Sequence, residues 1–288
     1  MQKILIQLDT DSNPSVFDRV VAIDAGADQL FSYGSIAPDH VTELVHGAIF
    51  TRGPADLKNT AIFIGGSSAA AGEALLKKVT GTFFGPLRVS VMMDSNGCNT
   101  TAAAAVALAR RHHSLQGVQA TVLGGTGPVG LRAAELLACE GAIVQLVSRS
   151  KERAEAACSE IRQRLPDAQL HSVGASADFN SVCAESEVVI AAGAAGICFL
   201  PEAALAALPG LRVAIDLNAV PPVGLADIGV SDKAQIRGET TCFGALGVGG
   251  LKMKVHRRAV AELFAANDVI MDTMAIYQLA REIADAVS

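Results

Sequence analysis

The chain has 288 residues, half of them hydrophobic and 18% charged, with a mean hydropathy of +0.36 and a sequence pI near 5.5. That apolar content supplies a core for one large or two ordinary domains and excludes a disordered, solvating chain. With 23 basic against 29 acidic side chains and a net charge of −6, it lacks the positive footprint of a general nucleic-acid binder.

The first apolar run, 4–8, is too short for a secretory signal and has Asp9 close behind it, and the longest apolar stretch, 188–200, falls short of a membrane span. The sequence therefore predicts a soluble cytoplasmic protein with no membrane partner. Six cysteines form no C-x-x-C pair and read as small buried hydrophobes in a reducing compartment. In the first third, the runs 4–8, 61–64 and 89–93 each precede a polar or glycine turn. Those turns are Asp9-Thr10-Asp11, Gly65-Gly66-Ser67 and Asp94-Ser95-Asn96-Gly97. Residues 69–79 carry Leu75, Leu76 and Val79 at helical spacing. The stretch 98–113 reads as a connecting helix started by Asn99-Thr100-Thr101, ending in a solvated His112-His113.

A second series of runs follows at 118–123, 142–147, 188–192 and 211–217. Their turns are 124–127, Ser148-Arg149-Ser150, 193–196 and Asn218-Ala219. Unbroken apolar runs spaced by helical lengths mark parallel strands buried on both faces. The fold class expected is α/β, with two domains. The first is an N-terminal α/β domain with a parallel sheet, built from 1–98 plus 252–288; the second is a doubly wound domain over 99–251. The tail from Leu251 is helical, with Val260, Leu263 and Phe264, then Ile276, Leu279 and Ile283, on apolar faces. In such sheets ligands collect beyond the carboxyl ends of the strands, so the function is expected between two such rims.

One turn has a specific reading. Gly125, Gly127 and Gly130 form G-x-G-x-x-G directly after the run 118–123 and at the start of a helical pattern, Gly125-Thr126-Gly127-Pro128-Val129-Gly130. The glycines permit a tight turn, close approach to a pyrophosphate, and close helix–strand packing. Pro128 suits the first helical turn, whose free amides face the diphosphate. This is a Rossmann-type dinucleotide site. About 20 residues further on, an NAD site places Asp or Glu against the ribose 2′-hydroxyl. Here stand Ser148, Arg149 and Ser150; a guanidinium suits a 2′-phosphate, so the cofactor predicted is NADP. The competing reading makes Arg149, Lys151 and Arg153 a solvated helix start with Ser150 as N-cap. A second glycine cluster at Gly244, Gly247, Gly249 and Gly250 reads either as close approach to a flat ligand or as a hinge. Gly193 and Asn218 end strands on the same rim.

The opposite rim offers Asp9, Asp11, Asp94, Ser95, Asn96, Thr100, Lys252, Lys254 and His256, without a nucleophilic triad or metal-ligand spacing among them. Lysines alternating with Leu251, Met253 and Val255 also fit one solvated face. Four blocks carry a resemblance: residues 9–18, residues 94–101, the glycine turn 125–130, and Phe243 through Arg257. Together they resemble the NADP-dependent methylene-tetrahydromethanopterin dehydrogenases of methylotrophic bacteria, nearly end to end. The resemblance implies hydride transfer from the methylene carbon of methylene-tetrahydromethanopterin, and of methylene-tetrahydrofolate, to NADP+. It implies a tetrahydropterin substrate cleft at Asn96, Thr100 and Lys254, with Asp94 beside developing positive charge and Asn218 near the nicotinamide ribose. It also implies a homo-oligomer, a trimer being one form. Two other readings stand beside it: a shikimate-dehydrogenase-like NADP enzyme, which needs a Lys–Asp pair that Lys58, Lys77 and Lys78 do not supply at a strand end, and a non-catalytic NADPH sensor, which needs no second polar rim.

Overall fold

The computed structural model describes residues 1–174 and 178–286. The chain divides into two compact units: Met1–Thr100 with Met253–Leu279, and Thr101–Lys252 with the stretch from Ala280 onward.

The first unit runs β1 (Ile4–Asp9), α1 (Val16–Asp24), β2 (Gln29–Tyr33), α2 (Val41–Ile49), β3 (Thr60–Gly65), α3 (Ala69–Gly81) and β4 (Ser90–Met93). With the short strand Ile270–Met271 these form a five-stranded sheet in the order Ile270–Met271, β4, β3, β1, β2, with every pairing parallel. All six residues of β3 are buried, as a strand covered on both faces requires. Strand β2 instead alternates exposed and half-buried residues at the sheet edge, so a search for unbroken apolar runs passes over it. Because the strands are parallel, the turns after β1, β3 and β4 lie on one rim.

Helix starts follow local chemistry. Ser15 caps α1, its Oγ accepting from the Asp18 amide at 3.2 Å. Helix α4 (Cys98–His112) is started differently from the sequence expectation. Asn99 and Thr100 lie inside its first turn, and the cap is Asp94, whose Oδ1 accepts from the Asn99 amide at 2.9 Å and the Thr100 amide at 3.0 Å. A carboxylate four residues before the helix reaches back because the 3₁₀ turn Ser95–Gly97 folds it over.

The second unit contains β5 (Gln119–Leu123), α5 (Pro128–Cys139), β6 (Ile143–Ser148), α6 (Lys151–Arg164), β7 (Leu170–Gly174), α7 (Phe179–Cys183), β8 (Val188–Ala191), β9 (Val213–Asp216), β10 (Lys233–Arg237) and β11 (Thr240–Phe243). The sheet order is β10-β11-β9-β8-β5-β6-β7. Its six parallel strands, β7-β6-β5-β8-β9-β11, have the doubly wound order 3-2-1-4-5-6, whose ligand crevice lies at the switch between β5 and β8. The hairpin partner β10 closes the edge antiparallel to β11. On the outside, Arg164 of α6 grips the buried Glu135 of α5 through two hydrogen bonds, at 2.7 and 3.0 Å.

Helices α8 (Ala245–Glu262) and α9 (Thr273–Ala286) complete the chain, and the division between units falls inside α4, α8 and α9. The pair His112-His113 is not a plain solvated end. His113 Nε2 lies 3.1 Å from Glu187, and the His112 ring packs edge-on against Phe243, its pKa lowered first by burial and then by Arg111. Four of the six free cysteines are buried, but Cys198 is exposed. Among the described residues no helix is long and apolar enough to cross a membrane.

Asp94→Ala strands two buried backbone amides and leaves the Thr100 hydroxyl only the Gly97 carbonyl, at 3.4 Å. The expected loss is about 1–3 kcal/mol, read as a lowered thermal unfolding midpoint.

Candidate functional site

In the second unit, the turn from β5 to α5 is tied to β6: the Gly125 amide donates to the Val147 carbonyl at 2.8 Å, and Thr126 Oγ1 lies 3.0 Å from Ser148 Oγ. The three glycines of the fingerprint are needed for different reasons. A side chain on Gly125 would enter Leu146, and one on Gly130 would overlap the Gly124 carbonyl. Gly127 differs. Its backbone is ordinary, at φ −75° and ψ 165°, and a Cβ there would meet no protein atom closer than 3.4 Å. The protein's own packing does not demand glycine at 127, which leaves its backbone open to close approach by a ligand.

That open side belongs to a cavity of about 210 Å³ lined by residues including Gly127, Ser148, Arg149, Arg153, Phe179, Gly193 and Phe199. Two guanidiniums line it and no carboxylate does, among the described residues. The rings of Phe179 and Phe199 meet edge to face at 5.3 Å, and Phe199 lies so close to Gly193 that a side chain on that glycine would strike the ring. The donor set fits a dinucleotide bearing an extra phosphate: glycine cradle, helix N-terminus, and paired cations at the end of the second strand.

The remaining sequence candidates lie elsewhere in this unit. Pro128 and Val129 form the first turn of α5. Ser150 is the N-cap of α6, accepting from the Arg153 amide at 3.2 Å and donating to Glu152 at 2.6 Å. Ser150 is thus the N-cap of the competing reading, while Arg149 and Arg153 line the cavity. Asn218 shapes the loop after β9, donating to the Pro222 carbonyl at 3.1 Å. Gly247 sits in the first turns of α8, where a side chain would strike the Asp232 carbonyl; helix packing accounts for it. Phe179 and Phe199 went unnoticed in the sequence because neither follows a motif. Arg153 carried a usable signal, lying one helical turn beyond Arg149.

In the first unit, the rim after β1, β3 and β4 is held together by carboxylates. Asp9 accepts from the amides of Asp11 and Ser15 at 2.9 and 3.2 Å, and Asp11 accepts from Ser67 at 2.9 and 3.0 Å. Asp94 and Thr100 are buried, at 1% and 0% exposure, with the Thr100 hydroxyl donating to Asp94 Oδ2 at 2.6 Å. They lie beneath the rim. Asn96 stands on it: exposed, in the left-handed region at φ 56°, its amide donating to the Gly66 carbonyl at 2.6 Å. Asparagine adopts that conformation more readily than other side chains, so the turn holds it at little cost. Lys254 is exposed on α8 while His256 is fully buried, so the alternation of 251–256 does not make one solvated face; the segment is helical.

Strand order, glycine cradle and paired guanidiniums define a dinucleotide-binding α/β protein of the dehydrogenase class. Among solved structures, quinate dehydrogenase from Corynebacterium glutamicum in complex with NAD superposes with a TM-score of 0.56 at 12% identity, over 96% of this chain and 98% of that one; this speaks to the fold alone. Residues 16–96 match the family model described as methylene-tetrahydromethanopterin dehydrogenase, N-terminal. Over 98% of its length the chain is 45% identical to the Bifunctional protein MdtA of Methylorubrum extorquens, covering 99% of it. It is also 32% identical, with the same coverages, to the NAD(P)-dependent methylenetetrahydromethanopterin dehydrogenase of that organism. The chain belongs to the methylene-tetrahydromethanopterin dehydrogenase family.

Alanine at the two glycines separates cradle from packing. Gly127→Ala is expected to keep the parent unfolding midpoint and weaken dinucleotide binding measured by calorimetry. Gly130→Ala is expected to lose about 1–3 kcal/mol of stability through overpacking.

Proposed function

We propose that the protein is an oxidoreductase that transfers a hydride from the methylene carbon of methylene-tetrahydromethanopterin, and of methylene-tetrahydrofolate, to NADP+, leaving the methenyl derivative. The observation that carries this is the match, over 98% of the chain, to two relatives of which one is named for the reaction. The cavity with Arg149 and Arg153 at its edge supports the choice of NADP.

The substrate carbon bridges two nitrogens, so loss of hydride leaves a cation delocalised over both. No proton has to move with it, and no general acid or base is required. Bound NADP+ supplies the hydride acceptor. The protein's task is to orient the reacting atoms to about 3–3.5 Å and to tolerate positive charge in the substrate. In this reading the second unit is the cofactor domain. Gly127 and the amides opening α5 hold the diphosphate, Arg149 and Arg153 hold the 2′-phosphate, and the Phe179–Phe199 corner walls the adenosine half. The first unit is the substrate domain. Asn96 orients the pterin, Lys254 holds the pterin or its linker as a cation without transferring a proton, and buried Asp94 and Thr100 keep the Asn96 turn in place. A homo-oligomer belongs to this reading too. It is supported by Val16, Val20 and Ile23, spaced along α1 and exposed at 71%, 56% and 52%, a face a soluble monomer rarely leaves bare.

Mixing the protein with NADP+ and methylene-tetrahydromethanopterin should produce matched absorbance changes for NADPH and the methenyl product. Absence of both would overturn the assignment. Arg149→Ala removes charge-assisted hydrogen bonds worth about 1.5–3 kcal/mol, so KM for NADP+ should rise on the order of 10- to 100-fold while KM for NAD+ stays near the parent's.

A further inference from the structure

We propose that His256 is a positioning residue that orients Lys254 and Asn96 toward the substrate, an inference resting on the roles given to those two residues above. His256 has no exposed surface, so it cannot touch a ligand. Its Nδ1 lies 4.0 Å from Asp94 Oδ2, the oxygen that also accepts from Thr100 Oγ1. Its ring stacks on Phe63 of β3 at 5.7 Å and 15° and meets Phe17 of α1 at 6.1 Å. One imidazole is thus the point where α8, β3, α1 and the Asp94 turn converge, all within the first unit.

Each of these contacts leads to the rim. Asp94 fixes the turn that holds Asn96 in its left-handed conformation. On α8, Lys254 stands two residues before His256, about 200° around the helix. Anchoring the imidazole inward therefore sets the direction in which Lys254 points. Stacking on Phe63 fixes the plane of the ring.

A purely packing role would be filled at lower cost by an apolar ring, since a buried polar ring carries a desolvation penalty. What the imidazole adds is a polar nitrogen facing a buried carboxylate. At 4.0 Å this is a polar contact too long for a hydrogen bond, and it faces a group already holding two amides and a hydroxyl. It keeps the carboxylate, and so the Asn96 turn, in one arrangement.

The test compares His256→Phe, which keeps the ring and its stacking, with His256→Asn and His256→Gln. The amide of Asn reaches the place of Nδ1, and that of Gln the place of Nε2. The expected result for His256→Phe is an unfolding midpoint and a KM for NADP+ close to the parent's. Its kcat/KM for the methylene-tetrahydropterin should fall on the order of 10- to 100-fold, as sub-ångström to ångström misplacement produces. His256→Asn should recover most of that loss and His256→Gln should not. Parent-like pterin kinetics in His256→Phe would overturn the proposal. So would a parallel rise of both KM values with a fall of the midpoint in all three variants, which is the signature of structure alone. If His256→Phe does not fold, the Asn-against-Gln difference decides. Lys254→Ala and Asn96→Ala run alongside: parent-like kinetics there would sink the roles assigned above, whereas impairment there with an unaffected His256→Phe would sink only this inference.

Discussion

A buried aspartate at the carboxyl end of a parallel strand, giving its oxygens to the amides of the loop that follows, recurs in both units. Asp9 does this after β1 for Asp11 and Ser15. Asp94 does it after β4 for Asn99 and Thr100. Asp216 does it after β9 for Asn218 and Leu225. All three are 1% exposed. A chain leaving a buried strand carries amides with no ladder partner, and leaving them bare costs as much as a lost hydrogen bond. A carboxylate with two oxygens answers several at once, and the loop it holds becomes rigid. Burial pushes the Asp216 carboxyl up, the amides pulling the other way. The rims at the carboxyl ends of these strands thus owe their shape to buried acids.

The same constraint explains why several acidic and hydroxyl candidates lie buried beneath the rim. The resemblance set Asp94 beside a developing cation and Thr100 in the substrate cleft; in the structure their polar atoms bond to each other and to the start of α4. The residue they support, Asn96, is the one that reaches the surface. On the cofactor side the division is similar. Gly125 and Gly130 serve the turn itself, while Gly127 leaves room that nothing in the protein fills.

Much of this was legible along the chain. Strands β1, β3, β4, β5, β6, β8 and β9 announce themselves as apolar runs, because a strand covered on both faces has no polar side to interrupt it. The edge strands β2, β7 and β10 do not, since most of their residues are exposed or only half-buried, and β11 opens on Thr240-Thr241, which interrupts the apolar run. The glycine turn and Arg149 could be read from spacing, because a pyrophosphate imposes a fixed geometry on a few consecutive residues. The aromatic corner at Phe179 and Phe199 could not. Those residues approach only because β7 and β8 flank the β6–β5 pair, which brings their following segments over the same cavity.

What the sequence by itself determined, then, is whatever depends on near neighbours: the strand–turn–helix units, the phosphate cradle, the cation after β6 and, through its family blocks, the reaction. Tertiary structure alone decided which polar residues face outward. Lys254 and His256, two positions apart, part company because a helix turns about 100° per residue, and the packing of Phe17 and Phe63 chooses which of them is buried.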